Sequence, residues 1–158
     1  MNRTRRYLEL ARIFLIRSGY KRANYLKKKR YFAHQGNNCY FQIWNFGTEP
    51  ENLSFGNNCH IASGVTFISH DITAQMFKLM DNNSTYVNRR GDIKLGNNVF
   101  VGSNSSILYD VCIGDNVIIG AGSVVNKDIP SGSVAAGVPC KVIGSFDEYK
   151  EKIVNRRE

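Results

Sequence analysis

The sequence predicts an all-β fold in which short strands alternate with tight corners and stack into one coil. Two observations predict it. From residue 95 the chain divides into six hexads that each begin with an aliphatic residue, and a small or aliphatic residue recurs at every fifth position. A period of six matches neither the 3.6-residue period of an amphipathic helix nor the simple alternation of a half-buried strand. Three strands and three corners therefore close one triangular turn around a column of aliphatic side chains.

The hexads can be followed residue by residue. Their first positions are Leu95, Val101, Ile107, Ile113, Ile119 and Val125, and their fifth positions are Val99, Ser105, Val111, Val117, Ser123 and Ile129. Glycine follows the first position in four hexads, and we expect glycine and asparagine to supply the unusual backbone angles of the corners. An upstream block repeats the pattern with Phe55, Ile61 and Phe67 at successive first positions, and it places Cys59 at an inward fifth position.

We predict that the coil occupies residues 34–144 and that one segment interrupts it. The spacing from Phe67 to Leu95 is not a multiple of six, so the two blocks of hexads are out of phase. An inserted loop over residues 72–92 accounts for the difference, and its polar, turn-prone composition agrees. Residues 37–54 repeat poorly, so we expect them to form an irregular first coil.

A short α-helix is predicted at the C-terminal end, over residues 145–158. Ser145 and Glu148 have the spacing of a capping box, and the apolar residues that share one helical face are Phe146, Tyr149 and Ile153. We expect this helix to cover the open end of the coil, whose unpaired strand edge would otherwise favour aggregation.

The positive charge of the chain is concentrated in its N-terminal segment. Residues 1–33 hold eleven Lys or Arg and one acid, whereas the rest of the chain holds ten bases and twelve acids. A helical stripe of Tyr7, Leu10, Ala11 and Phe14 is surrounded by Arg3, Arg5, Arg6, Arg12 and Arg17. Such a helix either lies on an anionic membrane or packs on the coil with its charges in water. Nothing in the segment matches a nucleic-acid-reading motif, so we expect no nucleic-acid partner.

Composition narrows the class of protein further. The chain has 158 residues, 42% of them hydrophobic, which suffices for one domain with a core. We find no apolar run long enough for a membrane span and no pattern of a secretory signal. The four cysteines form no CxxC pair, so we expect reduced thiols in a cytoplasmic protein.

The run IGDNVIIGAGSVVNKDIPSGSVAAGVPCKVI resembles the coenzyme-binding end of galactoside, maltose and polysaccharide O-acetyltransferases. These proteins belong to the hexapeptide-repeat acyltransferases, which fold as a left-handed parallel β-helix, and the resemblance covers roughly residues 52–144. It implies an acetyl-CoA donor, a saccharide hydroxyl as acceptor, and direct transfer without a covalent enzyme intermediate. It also implies a homotrimer with active sites between subunits.

Acyl transfer to a hydroxyl needs a general base, and histidine is well matched to that role. The chain has three histidines, His34, His60 and His70. His70 immediately precedes the insertion, where the resembled family carries its general base. Asp71 follows it and is a candidate for orienting the ring, although neighbours on an extended segment point in opposite directions. Asp92 and a backbone carbonyl remain as alternatives.

The resemblance also implies the residues that hold the donor. Gly102 and Ser103 match the position whose backbone N–H stabilises the oxyanion. The residues matching the slot for the pantetheine arm are Gly120, Ala121 and Gly122, and those matching the phosphate-binding cations are Lys127 and Lys141.

The acceptor site is the part of the protein that the sequence determines least. The polar candidates in the insertion are Tyr86, Asn88, Arg89 and Arg90, and the two arginines would suit an acidic sugar. N-acetylation of an amino sugar is the nearest enzymatic alternative, and a noncatalytic membrane-associated β-helix scaffold is the alternative outside enzymes. The three histidines lack the close pair of the zinc-binding members of this fold, so we expect no metal.

Overall fold

A computed structural model describes residues 3–155, with side chains from residue 7 onward. Residues 156–158 of the predicted C-terminal helix and the side chains of Arg3, Arg5 and Arg6 lie outside the described part. The helices are α1 (Arg3–Leu15), α2 (Gly19–Lys28), α3 (Thr73–Asp81) and α4 (Phe146–Asn155). The strands are β1 (His34–Gln35), β2 (Tyr40–Phe41), β3 (Leu53–Phe55), β4 (His60–Ile61), β5 (Thr66–Ile68), β6 (His70–Asp71), β7 (Arg89–Arg90), β8 (Ile93–Leu95), β9 (Val99–Val101), β10 (Ser106–Leu108), β11 (Val111–Ile113), β12 (Val117–Ile119), β13 (Val124–Val125), β14 (Ser133–Ala136) and β15 (Lys141–Ser145).

The strands form three parallel faces that the chain visits in a fixed order. The first face holds β1, β3, β8 and β11, the second β2, β4, β9, β12 and β14, and the third β5, β10 and β13. One turn takes three hexads, because Val99 pairs with Val117 and Ser106 with Val124. We number the corners likewise: the first corner joins faces one and two, the second joins faces two and three, and the third returns to face one. The architecture is a left-handed parallel β-helix, as the sequence predicts.

The interior of the coil is the predicted column of side chains. Every first and fifth hexad position from Leu95 to Ile129 is buried, as are Phe55, Cys59 and Phe67 upstream. In β8, β9 and β11 two buried residues flank an exposed one, which is the expected pattern for one inward face. The register predicted from the sequence is therefore confirmed.

Asparagines form a ladder along the first corner. Asn58, Asn98 and Asn116 have φ angles of 57°, 56° and 55°, in the left-handed region that asparagine tolerates. The amide of Asn58 donates to Oδ1 of Asn98 at 2.9 Å, and that of Asn98 donates to Oδ1 of Asn116 at 2.8 Å. Stacked amides thus stabilise the backbone angle that turns each strand into the next.

The glycines that follow the first hexad positions serve a different purpose from the one expected. A Cβ on Gly56 would lie 2.4 Å from the carbonyl oxygen of Gly96, and one on Gly102 would lie 2.5 Å from the nitrogen of Ala121. Neither Gly56 nor Gly102 has a positive φ angle. These glycines are needed because the next coil passes too close for a side chain, whereas the positive φ angles of the first corner belong to asparagines.

Replacing Gly56 by alanine is expected to lower the free energy of unfolding by about 1–3 kcal/mol, because the backbone of the next coil must move. Gly144 is the matched control, since a Cβ there meets no atom within 4 Å. Denaturant unfolding of Gly56→Ala and Gly144→Ala at equal chain concentration measures the difference. Equal midpoints for the two variants would contradict this explanation.

The insertion over residues 72–92 is more ordered than the predicted loop. It contains α3, and β7 returns antiparallel to β6, so that His70 pairs with Arg90 and Asp71 with Arg89. Leu53 accordingly pairs with Ile93 across the whole insertion, instead of with a residue three hexads further along the chain. The coil resumes in register because the hairpin brings both ends of the insertion back to the third corner.

The N-terminal helices are fastened to the first coil by a buried arginine. The Arg22 guanidinium donates to the carbonyl oxygens of Ile13 at 3.2 Å, Phe41 at 2.7 Å and Gln42 at 2.8 Å. Burial lowers the pKa of Arg22 below its ordinary value. Ile13 is fully buried beside it. The predicted packing of this segment on the coil is therefore present, on one side of α1.

Aromatic rings fill the N-terminal end of the column, where the hexad pattern is poor. The buried members are Phe32, Phe41, Phe46, Phe55 and Phe67. Phe55 is central, with ring centroids 4.8 Å from Phe32 and 5.1 Å from Phe41. Phe32 thus belongs to the core of the coil, although it precedes the predicted boundary at residue 34.

The C-terminal segment forms a helix as predicted but does not bury it. β15 turns back antiparallel along β14, and α4 begins directly after Ser145. No residue of α4 is buried within the described chain, and Tyr149 and Ile153 are exposed. The edge of the second face is covered by β15, and α4 contacts β14 and β15, so the role of the helix as a lid stays a prediction.

Candidate active site

His70 lies at the third corner, immediately after the strand β5. Its Nδ1 is 3.1 Å from Oε2 of Glu49 and 3.4 Å from Oγ1 of Thr48. A carboxylate can only accept a hydrogen bond, so Nδ1 is the donating nitrogen, and in the neutral ring the lone pair is on Nε2. The His70 side chain is 33% exposed. This arrangement gives the imidazole a defined tautomer and an open basic nitrogen.

Glu49 is the partner of His70, and it comes from the preceding turn of the same corner. Its side chain is 14% exposed. Oε2 also accepts from the hydroxyl of Ser69 at 2.8 Å, and Oε1 is 3.5 Å from Nε of Arg90. The carboxylate is therefore held by both the coil and the insertion. Sequence reasoning missed Glu49 because a 3₁₀ turn, Pro50–Asn52, breaks the hexad register of the first coil.

The carboxylates proposed from sequence to orient His70 have other partners. Oδ1 of Asp71 accepts from the backbone N–H of Thr73 at 2.8 Å, at the start of α3. That hydrogen bond lowers the pKa of Asp71 below its ordinary value. Asp92 pairs with Lys94, at 3.6 Å between Oδ2 and Nζ. Asp71 is adjacent in sequence but directed away from the ring, as the alternation along a strand implies.

The predicted donor residues lie mainly at the second corner. Gly102, Ser103 and Asn104 stack between two neighbouring corners, the one below at Ser63 and the one above at Gly120–Gly122. The Gly102 N–H already donates to the carbonyl of Ile119 at 2.8 Å. Within residues 3–155 the Ser103 N–H meets no acceptor, which makes it the better oxyanion donor of the two.

The surface above this corner is open and made of small residues. Ala121 is exposed, and a Cβ added to Gly122 would meet nothing within 4 Å. The Gly120 carbonyl accepts from the buried hydroxyls of Ser105 at 3.1 Å and Ser123 at 2.6 Å. Hydrogen bonds thus hold the inner side of the corner, and its outer side is unobstructed. An unobstructed surface of small residues suits a slender pantetheine arm.

One chain does not bring His70 and the Ser103 corner together. The third face separates them, since β10 pairs with β5 and runs from the second corner to the third. The extended chain from Ser63 to His70 spans about 20 Å. Lys127 lies exposed at the third corner, two turns beyond His70, and Lys141 lies exposed on β15. The predicted site residues therefore form two half-sites. One holds His70 at the third corner, and the other holds Ser103 and Gly120–Gly122 at the second corner.

The insertion residues proposed to contact the acceptor differ in their surroundings. The Tyr86 hydroxyl donates to Asp81, whose carboxylate raises the pKa of Tyr86. Asn88 Oδ1 is shielded from solvent and has no hydrogen-bond partner within the described chain. Arg89 is exposed, whereas Arg90 extends its Nε toward Glu49.

A polar groove of about 440 Å³ runs beside Arg90 along the third corner. Its walls include Asp92, Lys94, Asp110 and Asp128. Alternating acceptors and cations of this kind can hydrogen-bond a polyhydroxylated ligand. The groove lies next to the network that holds His70.

The other two histidines are not part of this arrangement. His34 is exposed on β1. His60 stacks on Tyr40 with ring centroids 5.7 Å apart, and burial lowers the pKa of its imidazole. Across residues 3–155, no three His, Cys, Asp or Glu side chains cluster as a metal site would require.

Comparison with known proteins identifies the family of the chain. Residues 92–127 match the model of the family described as bacterial transferase hexapeptide (six repeats). The chain is 44% identical over 126 residues to Protein CapG of Staphylococcus aureus, covering 78% of this chain and 72% of that protein. It is 39% identical over 117 residues to galactoside O-acetyltransferase of Escherichia coli (strain K12), covering 73% of this chain and 55% of that protein.

Solved structures share the fold over nearly the whole chain. A galactoside acetyltransferase in complex with coenzyme A superposes with a TM-score of 0.67 at 28% identity, covering 94% of this chain and 82% of that one. A maltose O-acetyltransferase from Clostridium difficile 630 superposes with a TM-score of 0.62 at 28% identity, covering 87% and 83%.

Proposed function

The chain belongs to the hexapeptide-repeat acetyltransferases, and on that premise we propose that it moves the acetyl group of acetyl-CoA to a saccharide hydroxyl. It is an acyltransferase, and its donor is acetyl-CoA. The observation that carries the proposed mechanism is the His70–Glu49 pair, which leaves Nε2 of the ring as a base. A unit of a cell-surface polysaccharide, or its precursor, is the acceptor we propose. Such a reaction takes place in the cytoplasm, where the donor is made.

His70 acts twice in the proposed reaction. Its Nε2 takes the proton of the acceptor hydroxyl as the oxygen forms a bond to the thioester carbonyl carbon. The Ser103 N–H donates to the oxyanion of the tetrahedral intermediate. When the carbon–sulfur bond breaks, the imidazolium returns its proton to the departing thiolate. Glu49 stabilises the positive charge on the ring between these steps, and no covalent enzyme intermediate is needed.

We propose that each active site combines His70 of one subunit with the Ser103 corner of its neighbour in a homotrimer. The two half-sites stand at opposite ends of the third face of one chain, which supports this arrangement. Lys127 and Lys141 then supply cations for the donor phosphates, and Gly120–Gly122 border the arm.

Mixed assemblies test the shared site. We expect His70→Ala and Ala121→Trp to be inactive separately, the second because an indole fills the donor slot. Co-expressed in equal amounts, they should recover about one quarter of the wild-type activity, since random trimers contain that share of intact sites. Co-expression of His70→Ala with wild type provides the control for mixing. A mixture as inactive as its components would mean that one chain carries the whole site.

The acceptor class is tested by coenzyme release with neutral, amino and acidic sugars. We expect release with sugars that carry hydroxyls but no amino group. Release with amino sugars alone would indicate N-acetylation instead. If the chain neither binds acetyl-CoA nor releases coenzyme with any sugar, the noncatalytic scaffold interpretation replaces the enzymatic one.

Replacing Glu49 by glutamine is expected to lower kcat by about 10-fold or more with little change in the KM for acetyl-CoA, because the ring loses its oriented anionic partner. Glu51→Gln removes an exposed carboxylate close by in the chain and is the control. Steady-state kinetics of both variants provide the measurement. A Glu49→Gln enzyme with unchanged kcat would exclude a role for this carboxylate in positioning His70.

A further inference from the structure

The helix α1 has two apolar sides, and only one of them packs on the protein. Ile13 is fully buried against the body. On the opposite side lie Tyr7, Leu8, Ala11, Phe14 and Leu15, which at roughly 100° per residue fall within one continuous arc. Leu8 is 60% and Leu15 is 74% exposed. A surface helix of a soluble protein normally turns polar residues toward water, so this second apolar face needs an explanation.

The exposed face continues into a groove beside the first coil. Tyr7, Leu10, Ala11 and Phe14 form one wall, and Trp44 forms the other, with a volume of about 530 Å³ between them. The Phe14 and Trp44 rings meet edge to face at 5.4 Å between centroids. The result is a wide, aromatic and almost wholly apolar surface on one side of the molecule.

Exposed basic side chains lie along and beyond α1. Residues 1–33 carry eleven Lys or Arg against Glu9 as the one acid. Arg12 is exposed at the edge of the apolar arc, and Arg17 and Lys21 are exposed beyond the end of α1. Glu9 is itself engaged, since it accepts from the Tyr25 hydroxyl at 2.6 Å and lies 3.6 Å from Arg12. The N-terminal segment that carries the groove is therefore strongly basic.

We propose that α1 and Trp44 seat the protein on the surface of an anionic membrane. The apolar arc enters the boundary between headgroups and acyl chains, and the flanking cations meet the lipid phosphates. The same charge argues against a second copy as the occupant, because two such faces would bring like charges together. Within residues 3–155 no helix has both the length and the apolarity to cross a membrane.

Arg22 holds this membrane-binding surface in a fixed position on the coil. Because its guanidinium joins the carbonyls of α1 to those of β2, the helix and the coil approach the bilayer as one body. The inference stands independently of the proposed function. If both hold, the acceptor site is kept at a fixed distance from a membrane, which suits a saccharide linked to a lipid.

Vesicle binding tests the proposal with the full chain. Trp44 is the only tryptophan, so its emission reports on the groove directly. With vesicles of equal parts phosphatidylcholine and phosphatidylglycerol, we expect the protein to float, its emission to shift to shorter wavelength, and both effects to weaken with salt. Vesicles of phosphatidylcholine alone should bind much less. Absence of flotation with the anionic vesicles would overturn the proposal.

Paired variants distinguish this contact from non-specific adsorption of exposed apolar residues to vesicles. Leu8→Glu/Leu15→Glu should lower vesicle affinity by about 10-fold or more, since both apolar groups lose their burial in lipid. Leu79→Glu/Val154→Glu changes similarly exposed residues of α3 and α4 and should bind as wild type does. Unchanged melting curves show that both variants fold, and coenzyme release on a soluble sugar should stay at the wild-type level. Equal binding by the two variants, or an oligomer that disperses only in Leu8→Glu/Leu15→Glu, would mean that lipid does not cover this face.

Discussion

Replacing His70 by alanine lowers kcat by about 10²- to 10⁴-fold, the usual contribution of a general base, and leaves the melting temperature unchanged. The loss falls on kcat because the imidazole accepts the proton only as the new carbon–oxygen bond forms. The fold survives because the ring sits at a corner, one-third exposed, and contributes nothing to the inner column. Coenzyme release with a saturating sugar acceptor measures the effect.

His34→Ala is the matched control for this variant. His34 is exposed on the first coil and contacts neither Glu49 nor the insertion, so its removal should leave kcat within about a factor of two. If His70→Ala retained most of the wild-type kcat while His34→Ala did not, the role of the base would have to be assigned to His34. If both variants were fully active, neither His70 nor His34 would be the general base, and the proposed mechanism would be excluded.

Replacing Phe55 by alanine is expected to lower the free energy of unfolding by about 3–5 kcal/mol. Phe55 is fully buried, and its ring packs on Phe32, Phe41 and Phe67 with centroids 4.8, 5.1 and 5.5 Å away. The cavity left behind cannot collapse easily, because backbone hydrogen bonds between paired strands hold the neighbouring turns in place.

Phe100→Ala is the control for the Phe55 substitution. Phe100 is also on a strand of the coil, but it points outward and is exposed. Its replacement should lower the free energy of unfolding by about 0.5 kcal/mol or less, as surface substitutions usually do. Denaturant unfolding of both variants at one chain concentration makes the comparison, since oligomers unfold in a concentration-dependent way. Similar losses for the two variants would show that the aromatic end of the column is not a distinct stabilising unit.

The sequence alone determined the coil wherever its period was intact. From Leu95 to Ile129 each inward residue could be named, because a column formed by stacking repeats the same side-chain requirement in every turn. It also placed His70 beside the insertion, since a break in the repeat marks the corner from which the insertion leaves; its role as the base came from the family resemblance and stays a prediction. The role expected for the second-position glycines was wrong, because a close approach of the next coil leaves no mark in local backbone preference.

Only the tertiary structure decided which groups meet across turns. Glu49 and His70 are far apart in the chain, and the irregular first coil hides the fact that both occupy the third corner. Likewise, the distance between His70 and the Ser103 corner follows from the triangular cross-section, which no linear spacing displays. Local spacing specifies the repeat because every turn packs the same kinds of side chain at the same positions. An active site depends instead on contacts that occur once, between segments with no sequence similarity to each other.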